Sequence, residues 1–178
     1  YDSISAALSM FAEDEEVSEI LLLLDTPGGS ASGVGEVGDM IQAIDRQKPV
    51  RAYGMGGVLS AGYWLASSAR EIQASKMSEL GSIGAIASFT SVAGMLEKAG
   101  IETYVSRGGK DKALLNPSEP ISPEAKAMLD EKTATLHSMF IENVLRNRPS
   151  LSSKSQDSWA TGKPFFTSEA RTVGLVDG

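Results

Sequence analysis

The fold class is decided by residues 20–29, which read ILLLLDTPGG. A short, continuous apolar run of this kind is typical of a strand buried on both faces of a parallel sheet. The TPGG that follows breaks the pattern, and apolar residues then recur at helical spacing at Val34, Val37, Ile41 and Ile44. The stretch therefore predicts a strand, a glycine turn and a helix in succession.

The same alternation continues along the rest of the chain. Helices are predicted at residues 3–13, 59–69, 89–98, 123–146 and 152–159, and strands at residues 50–53, 71–74 and 101–106. Ser122 is the expected N-cap of the long helix, and Pro149 is expected to end it. Short strands alternating with helices indicate an α/β fold, with a mostly parallel sheet flanked by helices. No repeat or linker interrupts the pattern, so we expect a single domain over residues 1–178, a fragment truncated at both ends.

Composition excludes several classes of function. The formal net charge of −7 argues against nucleic acid as a partner, because phosphate binding needs clustered Lys and Arg. The absence of cysteine excludes disulfides, thiolate catalysis and thiolate metal sites. The acidic run at residues 13–16 has no histidine beside it and predicts a solvated surface, not a metal site. No cofactor is expected either. No apolar run reaches the ~20 residues of a membrane span, and a membrane role stays open because an anchor could precede residue 1.

A candidate nucleophile lies in residues 56–64, which read GGVLSAGYW. Glycines before Ser60 and small residues after it allow a sharp turn from a strand into a helix. There the hydroxyl can project, and the next amide can face an oxyanion. The stretch is not the G-x-S-x-G elbow, because Val58 replaces the first glycine. A plain N-cap serine in a glycine-rich turn is the alternative interpretation.

The proton acceptor for such a serine is not obvious from composition. The chain has one histidine, His137, which lies within a predicted helix and is expected to be a partly buried helix residue. A lysine can replace histidine as the base where burial lowers the pKa of its amine toward neutrality. The sequence therefore predicts an unusual base if Ser60 is a nucleophile.

The double glycine at Gly28 and Gly29 is the second candidate element. It follows a predicted central strand, and ligands bind at the carboxyl ends of strands in open α/β sheets. Bare glycine amides can approach a substrate carbonyl closely. A plain turn and a phosphate-binding loop are the alternatives, but neither G-x-x-x-x-G-K-[ST] nor G-x-G-x-x-G is present.

Taken together, these stretches resemble the S49 peptidases, the signal peptide peptidase A family, which has the ClpP/crotonase-like fold. The resemblance covers nearly the whole chain, and its motifs follow one another in the family's order. They are LDTPGG at 24–29, SAGYWLAS at 60–67, GSIGAI at 81–86, GKDK at 109–112 with NP at 116–117, and the stretch at 170–177 with GLVD.

The resemblance implies a Ser-Lys dyad. Ser60 matches the nucleophile, Lys112 the general base, and Ser82 a serine that helps to hold the lysine amine. It further implies an oxyanion hole built from the main-chain amides of Gly28, Gly29 and Ala61.

Two lysines compete for the role of base. In the family the catalytic lysine stands five residues before the proline of the Asn-Pro pair and three after a glycine. Pro117 and Gly109 therefore select Lys112, and Lys110 becomes a solvated loop residue.

The resemblance also implies a function and an assembly. We expect a serine endopeptidase that acts on polypeptides and forms a homo-oligomer, whose subunits help to shield the lysine. The SEP at residues 118–120 looks closer to the bacteriophage head-maturation branch, although ALLN at 113–116 lacks the usual Asp-Gly. That branch would act in the bacterial host cytoplasm or the phage procapsid.

Three alternatives stay open. One is a membrane-associated signal peptide peptidase of the same family, anchored by a segment before residue 1. The second is a crotonase-like acyl-CoA enzyme, in which the double glycine holds a thioester enolate. The third is an inactive structural relative.

Overall fold

The computed structural model describes all 178 residues. They form two compact units, the first made of residues 1–85 and 136–178 and the second of residues 86–135. The elements in chain order are α1 (Asp2–Glu13), β1 (Ile20–Thr26), α2 (Val34–Asp45), β2 (Val50–Leu59), α3 (Ala61–Ser67), β3 (Glu71–Ala74), β4 (Glu79–Gly81), α4 (Ala93–Lys98), α5 (Pro123–Asn147), 3₁₀ helices at Pro149–Ser153 and Gln156–Ser158, β5 (Pro164–Phe166) and α6 (Thr167–Val173). The assignment of residues 1–178 to a single domain stays a prediction.

The first unit contains a five-stranded sheet in the order β1-β2-β4-β5, with β3 also paired to β2. One edge of β2 pairs with β1, and its other edge pairs first with β3 and then with β4, all in parallel. Only β5 runs antiparallel, against β4. The predicted α/β class with a mostly parallel sheet is confirmed. Because β1, β2 and β4 are parallel, their carboxyl ends meet at one edge of the sheet.

Helices of the first unit cover the sheet through the predicted apolar stripe. In α2, Val34, Val37, Ile41 and Ile44 are all buried in the same core cluster as Val58 of β2. Burial of this stripe follows from its spacing, because residues three and four apart share one helix face.

The chain end is fixed to the first unit by polar contacts. The Asp177 carboxylate accepts hydrogen bonds from the Ile72 amide and from Nη1 of Arg148, both at 2.8 Å. The buried Tyr63 hydroxyl donates to the Leu175 carbonyl, also at 2.8 Å. The GLVD sequence at the chain end therefore carries contacts that hold the end of the chain on β3 and α3.

Several boundaries differ from the sequence prediction. The strand predicted at 101–106 is absent, because these residues have no strand partner, and a β-prone segment is stabilised mainly by its neighbours. The helix predicted at 59–69 begins only at Ala61, because Leu59 continues β2 and pairs with Gly81. The helix predicted at 152–159 is replaced by short 3₁₀ segments.

The expectation that β1 is buried on both faces is wrong. Leu21 and Leu23 are 56% and 62% exposed, whereas Ile20 on the other face is buried. The strand lies at the edge of the sheet, and its apolar residues alternate between a covered and an open face. In contrast, the Ser122 cap is confirmed, since its hydroxyl accepts the Ala125 amide at 3.1 Å.

Candidate active site

Ser60 occupies a strained turn at the end of a parallel strand. It lies between the last residue of β2 and the first residue of α3, with φ 51° and ψ −123°. A positive φ is unfavourable for a residue with a Cβ and persists only where surrounding contacts impose it. The Ser60 side chain makes no hydrogen bond that caps α3, so its hydroxyl does not perform the N-cap role. The turn therefore presents a free hydroxyl at the sheet edge.

Gly28 packs directly against this serine. A Cβ at Gly28 would lie 2.6 Å from the Ser60 Cβ and 3.2 Å from its Oγ. The φ of Gly28 is 120°, a conformation that side chains with a Cβ rarely adopt. Only glycine can occupy this position while the chain from β1 passes so close to Ser60.

The amides near Ser60 differ in whether they are free. The Gly28 amide donates to the Thr26 hydroxyl at 3.1 Å, and that hydroxyl in turn lies 3.2 Å from the Gly28 carbonyl. Gly29 has no acceptor for its amide within the chain, and Ala61 lies in the first turn of α3, where amides have no helical partner. A Cβ built on Gly29 would lie 3.9 Å from the Ala61 Cβ. The two free amides of the predicted set therefore belong to neighbouring residues, Gly29 and Ala61.

Ser82 lies at the same sheet edge, at the end of the neighbouring strand. Leu59 and Gly81 are register partners, and the Ser60 amide donates to the Gly81 carbonyl at 2.9 Å. Ser82, the next residue, also has φ 51°, and its amide donates to the Lys163 carbonyl. The strands thus bring the two predicted serines to corresponding positions.

Lys112 belongs to the second unit. It lies in a loop, where the sequence has neither helical nor alternating periodicity. Its amide donates to the Gly109 carbonyl at 3.1 Å, and its own carbonyl accepts a hydrogen bond from Arg107 at 2.8 Å. The side chains of Lys112 and Lys110 are both exposed. Ala113, which follows Lys112, has φ 57°; the chain's other non-glycine residues with positive φ are the two serines described above.

The single histidine is engaged in a structural contact. His137 is half-buried in α5, and its Nε2 lies 2.8 Å from the Ala160 carbonyl oxygen. This agrees with the prediction of a partly buried helix residue. Behind Ser60, the partly buried Trp64 packs against the core, and its ring centroid lies 5.1 Å from that of Phe140.

Two residues that shape the turns were not singled out from the sequence. Thr26 binds the Gly28 amide, and a Thr placed two residues before a glycine is a recognisable hydroxyl-turn signal. The Asp25 carboxylate accepts the Gly57 amide at 2.9 Å, and a Cβ at Gly56 would lie 2.4 Å from Asp25 Oδ1. No local sequence pattern predicts this contact, because it joins the end of β1 to the part of β2 where the register of their pairing shifts.

Sequence comparisons identify the family to which this arrangement belongs. The profile of Peptidase family S49 matches residues 42–178. The chain belongs to peptidase family S49. The Clp protease profile matches residues 1–79 and, with the parallel sheet, confirms the predicted ClpP-like fold of this S49 chain.

Curated S49-related proteins match most of the chain. Head-tail preconnector protein GP5 of Enterobacteria phage P21 is 34% identical over 144 residues, which are 81% of this chain and 29% of that protein. Capsid assembly protease C of Escherichia phage lambda is 32% identical over 144 residues, 81% of this chain and 33% of that protein. Serine protease SPPA, chloroplastic, of Arabidopsis thaliana is 26% identical over 166 residues, 93% of this chain and 24% of that protein.

The S49 chain is shorter than these relatives. It spans between 24% and 33% of their length. Within the chain, no helix combines the length and the apolar character that a bilayer crossing requires.

Proposed function

We propose that this S49 chain carries the active site of a serine endopeptidase in which Ser60 is the nucleophile and Lys112 the general base. The observation that supports this role most strongly is the Ser60 turn. The turn holds a serine at a positive φ, against a glycine that has no room for a Cβ, and leaves the hydroxyl outside the helix cap. Strained serine turns between a strand and a helix are a known way to expose a nucleophile.

The amides around the turn fit the stabilisation of an oxyanion. Gly29 and Ala61 have free amides, and preorganised amides of this kind lower the energy of a tetrahedral intermediate. Gly28 has its amide bound to Thr26, so its contribution is the absence of a side chain beside Ser60. Of the three predicted oxyanion residues, we therefore propose that Gly29 and Ala61 donate hydrogen bonds to the oxyanion. Gly28 leaves the space beside Ser60 free of a side chain.

The proton transfers follow from the assigned base. Neutral Lys112 removes the proton from Ser60 as the alkoxide attacks the peptide carbonyl. The resulting lysine ammonium then protonates the departing amine, which leaves an acyl-enzyme ester on Ser60. Water attacks this ester while Lys112 accepts its proton, and the lysine ammonium then returns a proton to the Ser60 oxygen as the acyl–oxygen bond breaks, which releases the acid product and regenerates the serine. Ser82, at the end of β4, helps to hold the lysine amine.

The substrates we propose are polypeptides of an assembling phage capsid. The similarity to a head-tail preconnector protein and to a capsid assembly protease of two phages supports this choice. Such an enzyme would act in the procapsid or in the cytoplasm of the bacterial host. We further propose a homo-oligomer, because a lysine base needs shielding from water and Lys112 is exposed in the single chain.

The test compares the full chain with variants at the assigned positions. A fluorophosphonate probe should label the parent protein, and casein should be cleaved, whereas Ser60→Ala should abolish both. Lys112→Ala should reduce both by at least about 10²-fold, and Lys110→Ala is the matched control that should retain the parental rates.

Each other outcome identifies a different function. Equal rates in all variants would refute the dyad. A parent protein that neither binds the probe nor cleaves casein would be an inactive relative, and conversion of an acyl-CoA thioester without serine labelling would indicate a crotonase-like enzyme. Cleavage of signal peptides but not of capsid or scaffold proteins would favour the signal peptide peptidase branch.

A further inference from the structure

Arg107 holds the main chain at the residue assigned as the base. Its Nε donates to the Lys112 carbonyl at 2.8 Å, and its Nη2 lies 3.4 Å from the Ala113 carbonyl oxygen. The same guanidinium pairs with the Glu119 carboxylate. One side chain thus contacts two successive main-chain carbonyls, those of Lys112 and Ala113, and a carboxylate at the far end of the loop.

Glu119 provides a fixed point for this contact. Its carbonyl accepts a hydrogen bond from the Ser91 hydroxyl at 2.6 Å, and the nearby Pro117 carbonyl accepts the Val92 amide at 2.8 Å. Ser91 also accepts the Ala93 amide at the start of α4. The end of the loop is therefore hydrogen-bonded to the beginning of α4. Because Arg107 contacts both Glu119 and the Lys112 carbonyl, it links Lys112 to this fixed end of the loop.

The local backbone needs such a constraint. Ala113 has φ 57°, and a residue with a Cβ keeps this conformation only where other contacts impose it. A hydrogen bond from the Lys112 amide to Gly109 closes a turn on the other side. Without Arg107, the Lys112 and Ala113 carbonyls would lose the side-chain donors that hold this turn.

We propose that Arg107, supported by Glu119, is a positioning residue that fixes the backbone of Lys112 and so the point from which its amine reaches the nucleophile. This inference rests on the proposed function, because it assumes that Lys112 is the base. Arginine suits the role because its planar guanidinium offers several donors in a fixed geometry, which a lysine ammonium does not. A lysine side chain has four rotatable bonds of its own. When the Lys112 backbone is fixed, only these bonds remain to be ordered for the amine to reach a productive geometry.

The test measures kcat and KM for cleavage of an activated ester by the full chain and by variants. Arg107→Gln should lower kcat by about 10–10²-fold, with KM nearly unchanged, because a misplaced base affects the chemical step. Glu119→Gln should lower kcat less, since Arg107 keeps its contact with the Lys112 carbonyl. Arg107→Lys should restore part of the loss by restoring the charge.

Arg70→Gln is the matched control. Arg70 also joins a carboxylate and a carbonyl, because its Nε and Nη2 contact the side chain and the main chain of Asp45, both at 2.7 Å. It should change the melting temperature at most and leave kcat at the parental value. A similar loss of kcat in Arg70→Gln would show that Arg107→Gln acts through general stability and would overturn the inference.

A combination of variants separates this inference from the proposed function. If Arg107 acts through Lys112, Arg107→Gln should cause no further loss in the residual ester hydrolysis of Lys112→Ala. An undiminished Arg107 effect in that background, or parental kcat in Arg107→Gln while Lys112→Ala is inactive, would overturn the inference alone. Parental activity in Lys112→Ala would instead refute Lys112 as the base.

Discussion

Replacing Gly28 by alanine tests the close approach of the first strand's end to the nucleophile. The new Cβ would lie 2.6 Å from the Ser60 Cβ and 3.3 Å from the Leu59 carbonyl oxygen. Ordinary contact begins near 3.4 Å, so Gly28 or Ser60 would have to move by about 0.8 Å. The alanine would also have to adopt a φ of 120°, which is strained for any residue with a Cβ.

Both effects have predictable sizes. We expect the free energy of unfolding to fall by about 2–5 kcal/mol, because a positive φ costs ~1–2 kcal/mol and overpacking a further ~1–3 kcal/mol. We expect kcat to fall by on the order of 10²-fold, because a displacement near 1 Å at a reacting group has this effect. The fall in kcat should exceed what the unfolded fraction explains.

The measurement combines urea unfolding with the rate of fluorophosphonate labelling of the folded protein. Gly100→Ala is the matched control, since Gly100 has φ 69° and no atom within 4 Å of the position that a Cβ would take. It should lose ~1–2 kcal/mol of stability and keep the parental labelling rate. A folded Gly28→Ala protein that is labelled as fast as the parent would refute the packing of Gly28 against Ser60.

Two further predictions concern the contacts at the chain end. Asp177→Ala should lower the free energy of unfolding by about 2–4 kcal/mol, because it leaves the guanidinium of Arg148, only 8% exposed, without its carboxylate. Asp39→Ala, which breaks an exposed ion pair, should cost less than about 1 kcal/mol, and equal urea midpoints for the two variants would contradict this expectation. Burial raises the pKa of the Tyr63 phenol above its ordinary value of 10.0. The stability due to its neutral form is therefore complete below about pH 10 and falls as the pH rises further, because the unfolded chain ionises first. Tyr63→Phe should be less stable at neutral pH, through loss of the bond to the Leu175 carbonyl, and its urea midpoint should decline less steeply between about pH 9 and 11; parallel declines in the two proteins would refute the assignment.

Much of the fold could be predicted because its signals are local. The stripe of α2, the strand at β1 and the Ser122 cap depend on residues within a few positions of one another, and all three elements form where they were predicted, although β1 is buried on one face only. The strand expected at 101–106 had the right composition but no neighbour to pair with. A strand is stabilised across its edges, and composition alone does not supply a partner.

The candidate site likewise has features that could be predicted from the sequence and features that could not. The sequence supplied the serine, the double glycine, the single histidine within a predicted helix and, through resemblance, Lys112 and Ser82. It could not supply the contacts that join distant segments, such as the Ser60 amide on the Gly81 carbonyl or Arg107 on Glu119. Such contacts depend on strand register and loop closure, which no local pattern specifies.

The stretch at residues 20–29 illustrates both what could be predicted from the sequence and what could not. The order of the residues was enough to predict an apolar strand that ends in a glycine turn, because the conformational preferences of apolar residues and glycine depend on side-chain type and spacing. The exposure of Leu21 and Leu23, and the approach of Gly28 to Ser60 with no space for a Cβ, follow from how the folded chain packs. The physical reason is that burial and close approach are properties of two segments together, and the second segment lies about thirty residues away in the chain.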